Sequence, residues 1–419
     1  MYHRPVPRVA ALALTLALAA CGATSLKVPQ AGSRAPAVPT YDPLLACSGQ
    51  AGLGLSTLQV GFAGDDATAA EPGFDLRYQY IAGPIAPDPD CLSTTRKSAT
   101  GCGTQWWGTW QDLSRPPGEF VRSFVAGSEA AGLRPMLTYY VLLPASGVAE
   151  GTPEVTKAAD TTFMASYLAD FRFLLRQIGS APAIVHVEPD FWGYAQAAAR
   201  DRSTDATGLA AAVASANPTD CGGLPDTIAG LGQCLVAMAR AYAPNAKIGL
   251  HASAWASGFD CVLNTDPHLD VAAEARKTAA FLAACAPTAD LLVVDLADRD
   301  AGWYATQGRD TWLDPTDATL PSFAQAFRWS RALRTQAGKP LLWWQLPVGN
   351  TGLAGAWGAW RDDRVEYFFA HPDRVAGSGA IGMAFGAGAS GQTTPESDGG
   401  YLRRCAAALG AVGGQPLCP

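Results

Sequence analysis

Past residue 50 the chain alternates between two hydrophobic rhythms. Short runs rich in β-branched and aromatic residues give way to longer stretches whose apolar residues recur three and four apart. The short runs predict strands over Thr57–Gly64, Leu76–Ala82, Arg134–Leu143, Ala183–Glu188, Lys247–Ala254, Asp290–Leu296, Pro340–Leu346 and Ala380–Phe385. The longer ones predict helices over Glu119–Ala131, Asp160–Ile178, Thr227–Tyr242, Val271–Ala284, Phe323–Gln336 and Asp362–Ala370, with Tyr401–Ala408 after the last strand. Such alternation implies an α/β fold with a parallel sheet covered by helices, and eight strands imply a (β/α)8 TIM-like barrel, one large domain with loop insertions. The competing architecture is a doubly wound open sheet, but no GxGxxG or Walker-type loop follows any strand. The same absence gives no reason to expect a cofactor. One connection strains the pattern: only about a dozen residues separate the first two strands, the lower limit for a parallel crossover. Either a helix is missing there or a strand is misplaced.

The first twenty residues stand apart from this alternation. His3, Arg4 and Arg8 precede the apolar run Val9–Ala20, a basic segment followed by a hydrophobic one too short to span a bilayer as a helix. The run ends in Leu18-Ala19-Ala20-Cys21-Gly22, which resembles the lipobox of bacterial lipoproteins, and that resemblance implies cleavage before Cys21 and lipidation of its thiol. Residues 21–45, rich in Pro, Ser, Ala and Gly, then form a flexible tether, and residues 46–419 form the barrel. The expected location is the cell envelope, outer membrane or cell surface, with the membrane reached through Cys21 only.

Composition narrows the partners. Apolar residues make up 48% and charged residues 16%, which suits a large buried core. The net charge of −7 supplies no positive field for a phosphate backbone, so nucleic acid is not an expected partner. In an oxidising compartment, the nine Cys besides Cys21 can form at most four disulfides. Cys91 with Cys102, Cys221 with Cys234, and Cys405 with Cys418 are the pairs close in sequence. No CxxC spacing supports a zinc site.

In a barrel of this type the active site forms where strands end and their following loops begin. The fourth strand reads Ile184-Val185-His186-Val187-Glu188-Pro189-Asp190. Side chains alternate along a strand, so Val185 and Val187 suit the helices while His186 and Glu188 point into the barrel. If extended geometry continues past Pro189, Asp190 joins them, with the two carboxylates about 6 to 7 Å apart. The same alternation directs His251, Ser253 and Trp255, Asp295, Trp343 with Gln345, and Arg77 with Gln79 to the mouth, with Asp65 and Asp66 following the first strand. A lone polar residue at a strand end is ordinarily a loop cap, but this convergence of costly polar groups implies a shared site. All twelve Trp lie between residues 106 and 360, Trp192, Trp255, Trp303 and Trp343 among them, and indole faces stack on the apolar faces of sugar rings.

Carboxylates amid Trp residues suit glycoside hydrolysis, which needs an acid to protonate the leaving oxygen and a carboxylate to act as nucleophile or activate water. Over roughly residues 55–410 the chain resembles the barrel-type glycoside hydrolases. Glu188 matches the strand-four position where many of them carry the acid/base. Their usual partner is a Glu ending the seventh strand, where this chain has Gln345. Glu188-Pro189-Asp190 also resembles the EPD of glycoside hydrolase family 6, whose Asp is the catalytic acid, and the segment Asp295–Asp300 is similar to that family's other Asp-bearing segment. There that segment precedes the EPD, whereas here it follows it. The expected function is therefore hydrolysis of a poly- or oligosaccharide by a monomer, with Glu188 or Asp190 as acid and Asp295 as the second carboxylate. His186, Trp192, His251, Trp255, Trp303, Trp343, Gln345 and Arg77 would contact the sugar. The alternatives are a barrel that binds carbohydrate without cleaving it, and a metal-dependent enzyme using Glu188, His251 and Asp295 as ligands.

Overall fold

The computed structural model describes residues 53–83, 85 and 116–417. The expected leader (residues 1–20) and tether (21–45) with Cys21, and Cys47, Cys91, Cys102, Cys418, Trp106, Trp107 and Trp110, lie outside the described residues. Eight parallel strands close into a barrel in chain order. They are β1 (Gln59–Phe62), β2 (Leu76–Ala82), β3 (Arg134–Tyr140), β4 (Ile184–Val187), β5 (Lys247–Ala252), β6 (Leu291–Val294), β7 (Leu341–Leu346) and β8 (Ala380–Phe385). All eight predicted strands exist, several of them shorter than predicted. The short connection between β1 and β2 holds a single-turn helix, Asp66–Ala69, whose N-cap Asp65 accepts the Thr68 amide at 2.8 Å. That turn resolves the strained crossover.

The barrel has two apolar layers, one on each face of its strands. Inside, Leu76, Tyr78, Met136, Ile184, Leu291, Val293, Leu342 and Trp344 fill the closed sheet. Outside, Val185 and Val187 pack with Leu168, Phe171 and Leu175 of the Thr161–Ile178 helix. Covering helices begin at side-chain caps that satisfy otherwise orphaned N–H groups: Asp160 bonds Phe163, Thr227 bonds Gly230, and Ser322 bonds Gln325. The predicted Cys221–Cys234 disulfide is present, with the Cα atoms 5.3 Å apart, and ties the middle of the Ile228–Tyr242 helix to the end of the Pro218–Cys221 turn.

Short helices after β3, β4 and β6 go beyond the sequence prediction. The Leu142–Ser146 helix cuts β3 short, Phe191–Asp201 starts directly after Asp190, and Ala301–Thr306 follows β6. All lie on the side of the barrel where the strands end, and they shape what those ends present.

Candidate active site

The strand ends enclose a cleft of about 790 Å³. Its floor is Trp344, whose ring meets Tyr80 at 5.4 Å and the His186 imidazole edge-on at 4.7 Å between centroids. Tyr140, Tyr194, Trp255 and Tyr304 form the aromatic walls. The polar groups in the cleft are Asp190, His251, Asp295, Asp298, Arg299, Gln345, Glu150, Asp260 and Arg309.

Two strand ends break the period-two alternation, and each break redistributes side chains. At the end of β4, Glu188 and Asp190 both adopt positive φ, 48° and 68°. Such backbone is unusual for residues other than Gly and marks a constrained site. It turns Glu188 away from the mouth, where its carboxylate accepts the Val141 and Leu142 amides at 3.2 and 3.1 Å and secures the start of the Leu142–Ser146 helix. Glu188 therefore does not line the cleft, contrary to the expectation from alternation. Burial pushes its pKa up to about 8 despite those two donors. Asp190 does face the cleft, and burial pushes its pKa up to about 7, opposed by nearby His251 and reinforced by Asp295.

At the end of β7, Gln345 has φ 56°, and the β7–β8 register shifts between Trp343 and Leu346. Trp344 and Gln345 consequently both reach the cleft. Trp343, predicted there, instead packs outward on Phe327 and Phe368, with its indole N–H donated to Ser330 at 3.1 Å. The Tyr80 hydroxyl donates to Gln345 Oε1 and fixes the amide. The β8 loop presses close here: a Cβ on Gly388 would collide with the Asp298 carbonyl and the Gln345 amide.

Three further expectations are corrected. On β2 the inward face is Leu76, Tyr78 and Tyr80, so Arg77 points outward, over the Phe124 ring and onto the Gly64 carbonyl. Trp192 lies one residue into its helix and is buried in the outer core, donating to the Val187 carbonyl at 2.9 Å. Trp303 packs against Tyr304 with the Arg299 guanidinium 5.2 Å from its ring, without lining the cleft. His186 points inward as expected but is fully buried beneath the cleft.

Asp295, at the end of β6, keeps 20% of its side chain exposed and lies 3.2 Å from His251 Nε2. Asp298 is engaged by both Tyr304 and Arg299. Asp300 leaves the cleft altogether: its carboxylate accepts the Gly349 and Thr393 amides, each at 2.9 Å, tying together the loops after β6, β7 and β8. A buried Asp362–Arg364 pair at 2.8 Å continues that tie, Asp362 accepting the Ala301 amide. Asp260 caps its own turn through the Val262 and Leu263 amides. With Glu188 turned away, the proposed metal-ligand trio does not gather, and no cluster of three or more ligating side chains suited to a metal occurs among the described residues.

Sequence reasoning missed Tyr80, Tyr140, Tyr194, Trp344, Asp298, Arg299 and Tyr304. The Leu76-Tyr78-Tyr80 stripe was a usable signal for the first of these, since Arg77 on the opposite face is costly to bury inside a barrel.

The site and fold together define an α/β barrel with a carboxylate-bearing, aromatic cleft at its strand ends. No protein-family model and no curated protein match the chain. Among solved structures, it is similar to a modular endo-β-1,4-mannanase of glycoside hydrolase family 26 from Cellulomonas fimi, with 12% identity, 87% of this chain and 73% of that one covered, and a TM-score of 0.46. A family 113 β-mannanase from Alicyclobacillus acidocaldarius matches at 11% identity over 86% and 99%, with a TM-score of 0.43. The endoglucanase Cel6 from Mycobacterium tuberculosis matches at 16% identity over 60% and 61%, with a TM-score of only 0.29.

Proposed function

We propose that the protein is a glycoside hydrolase acting on a poly- or oligosaccharide, with Asp190 as general acid and Asp295 as the second carboxylate. One observation carries the reading: two carboxyl groups in one aromatic cleft sit in opposed environments. Asp190 is desolvated and pushed up to about 7, so that it holds a proton near neutrality, while Asp295 is at the mouth against a histidine. A desolvated carboxyl that keeps its proton beside a second one at the mouth suits the acid and its partner. Tyr140, Tyr194 and Trp255 supply the faces on which sugar rings stack, and Gln345 and His251 address their hydroxyls. The EPD likeness thus keeps its Asp and loses its Glu as an acid. The test is turnover of a panel of β-1,4-linked gluco-, manno- and N-acetylgluco-oligosaccharides, starch and pectin fragments by the wild type, Asp190→Asn and Asp295→Asn. Turnover unchanged in both variants sinks the assignment.

Gln345 favours a second reading, a barrel that binds carbohydrate without cleaving it. The amide at the end of β7 is locked by Tyr80 and cannot serve as nucleophile. Tight calorimetric binding of an oligosaccharide that stays intact over days selects this reading. For either, the lipobox-like segment supports export and acylation at Cys21. Cys21→Ala should then move the protein from the membrane to the soluble fraction.

A further inference from the structure

Beneath the cleft runs a line of polar side chains that the acid and its partner do not explain. Thr138 and His186 are register partners across β3 and β4. His186 in turn lies opposite Gly249, and His251 is two residues further along β5; His251 lies opposite Val293, and Asp295 is two residues beyond that strand partner. The two later steps across the barrel therefore climb toward the mouth, following the stagger of its strands. The contacts are continuous. Thr138 Oγ1 lies 3.2 Å from His186 Nδ1, His186 Nε2 lies 3.2 Å from His251 Nδ1, and His251 Nε2 lies 3.2 Å from Asp295 Oδ1. Thr138 and both imidazoles are buried, and the edges of both rings pack on Trp344.

We propose that Thr138, His186 and His251 form a hydrogen-bond chain of fixed polarity that presents an N–H to Asp295 and holds it as the carboxylate facing Asp190. This rests on reading the cleft as a glycosidase site. The polarity follows from counting donors. A neutral imidazole has one N–H and one lone pair. If the Thr138 hydroxyl donates to His186 Nδ1, then His186 Nε2–H donates to His251 Nδ1, and His251 Nε2–H donates to the carboxylate. Every contact is satisfied with both rings neutral; the reverse order satisfies them only if His251 carries a second proton, donating Nδ1–H to His186 and Nε2–H to Asp295. In the reverse order a neutral His251 would present its bare Nε2 to an ionised Asp295, placing two lone pairs 3.2 Å apart. Burial holds the His186 pKa well below its usual value, so His186 cannot escape the choice by taking a second proton. The titratable groups facing His251 are His186, Asp295 and Asp190; Thr138, His251 and Trp344 face His186. His186 and Thr138 are positioning residues in this scheme and touch no substrate.

The experiment has two readouts on the full chain. In long-range ¹⁵N–¹H spectra at pH 7, both rings should be neutral Nε2–H tautomers, and Asp295→Asn should shift the His251 Nε2 resonance. An Nδ1–H on either ring, in a neutral tautomer or in a doubly protonated His251, overturns the proposal whether or not a glycan substrate is found. In kinetics, His186→Leu should lower kcat about 10- to 100-fold, the scale of lost outer-shell orientation, with KM within about twofold. It should also move the acidic limb of the pH profile upward, because Asp295 loses the N–H that favours its ionised form. His186→Gln, which keeps a donor, should recover most of kcat. If His186→Leu does not fold, Thr138→Val removes only the first donor at constant size and should change the same limb. Unchanged kcat and limb in whichever variant folds overturns the proposal. Absence of turnover in the wild type would count against the glycosidase reading, while the tautomer spectra still decide the chain's polarity.

Discussion

Two groups of carboxyls meet at the end of β4, and burial raises the pKa in both. In the cleft is Asp190, up to about 7. Behind it are Glu188, up to about 8, and Glu154 of the Thr152–Lys157 helix, up to about 9, pushed first by burial and then by Glu188 and Asp190. Both Glu side chains are about as hidden as a core leucine, each residue 1% exposed. Neither Glu154 oxygen has a hydrogen-bond partner. A shifted carboxyl reports desolvation, and the same desolvation serves catalysis only where a ligand can reach it. Asp190 has a cleft in front of it, whereas Glu154 and Glu188 face packed protein. The pKa alone would rank first the two carboxyls that no cleft reaches.

The sharpest way to break this comparison is to neutralise one carboxyl from each side. Asp190→Asn should lower kcat about 10²- to 10⁴-fold, the range for loss of a general acid. Glu188→Gln retains an acceptor for the Val141 and Leu142 amides and should stay within about tenfold of wild type. The reverse ranking on the active oligosaccharide would return the acid role to Glu188.

The pH profile of the wild type tests the same assignment without mutation. An acid must be protonated to act, and Asp190 releases its proton near pH 7, so kcat/KM should fall about tenfold per pH unit above that point. In Asp190→Asn the residual activity should lose this alkaline limb.

The barrel itself was legible because strand and helix periods differ and each strand carried a continuous or alternating apolar run. Asp190, His251, Trp255, Asp295 and Gln345 line the cleft as the alternation led one to expect. It failed at Glu188, where positive φ turns the side chain away, and a residue's φ is set by tertiary contacts that no periodicity records. On β7 the inward side chains are Leu342 and Trp344, so the expectation put Trp343 on the wrong face of an intact alternation, and it is Gln345 that the register shift adds to the cleft. Trp192 was misplaced because a helix starts at once after Asp190, giving a three- to four-residue period where a loop was expected.

The buried side of the comparison should show its effect in stability. Glu154 ionises near 4.5 in an unfolded chain and near 9 in the folded one. Between those values the unfolded chain has released a proton that the folded one still holds, so rising pH opposes folding throughout that window, and the loss levels off above 9. Glu154→Gln removes this linkage. It should leave stability nearly unchanged at pH 4 and raise it by about 1 to 3 kcal/mol at pH 8. Denaturant unfolding at the two pH values measures the difference, and an equal effect at both would show that Glu154 ionises freely in the fold.

The smallest expected effect concerns Arg77, the residue that the alternation placed in the cleft and the structure places outside the barrel. Its Nε and Nη2 donate to the Gly64 carbonyl at 3.0 and 2.7 Å, tying β2 to the turn after β1. Its ion pair with Asp66 is 2.7 Å long, but that partner's side chain is 93% exposed, so water screens most of the attraction. What the side chain contributes is the carbonyl contacts and the packing of its stem and guanidinium on Phe124. Arg77→Ala should therefore cost about 1 to 2 kcal/mol of stability. Because it changes no group in the cleft, kcat/KM should stay within about twofold, RT ln 2 being below the resolution of most mutant series. A loss of tenfold or more in kcat/KM, with stability unchanged, would put Arg77 back at the mouth and the inward face of β2 in the wrong register.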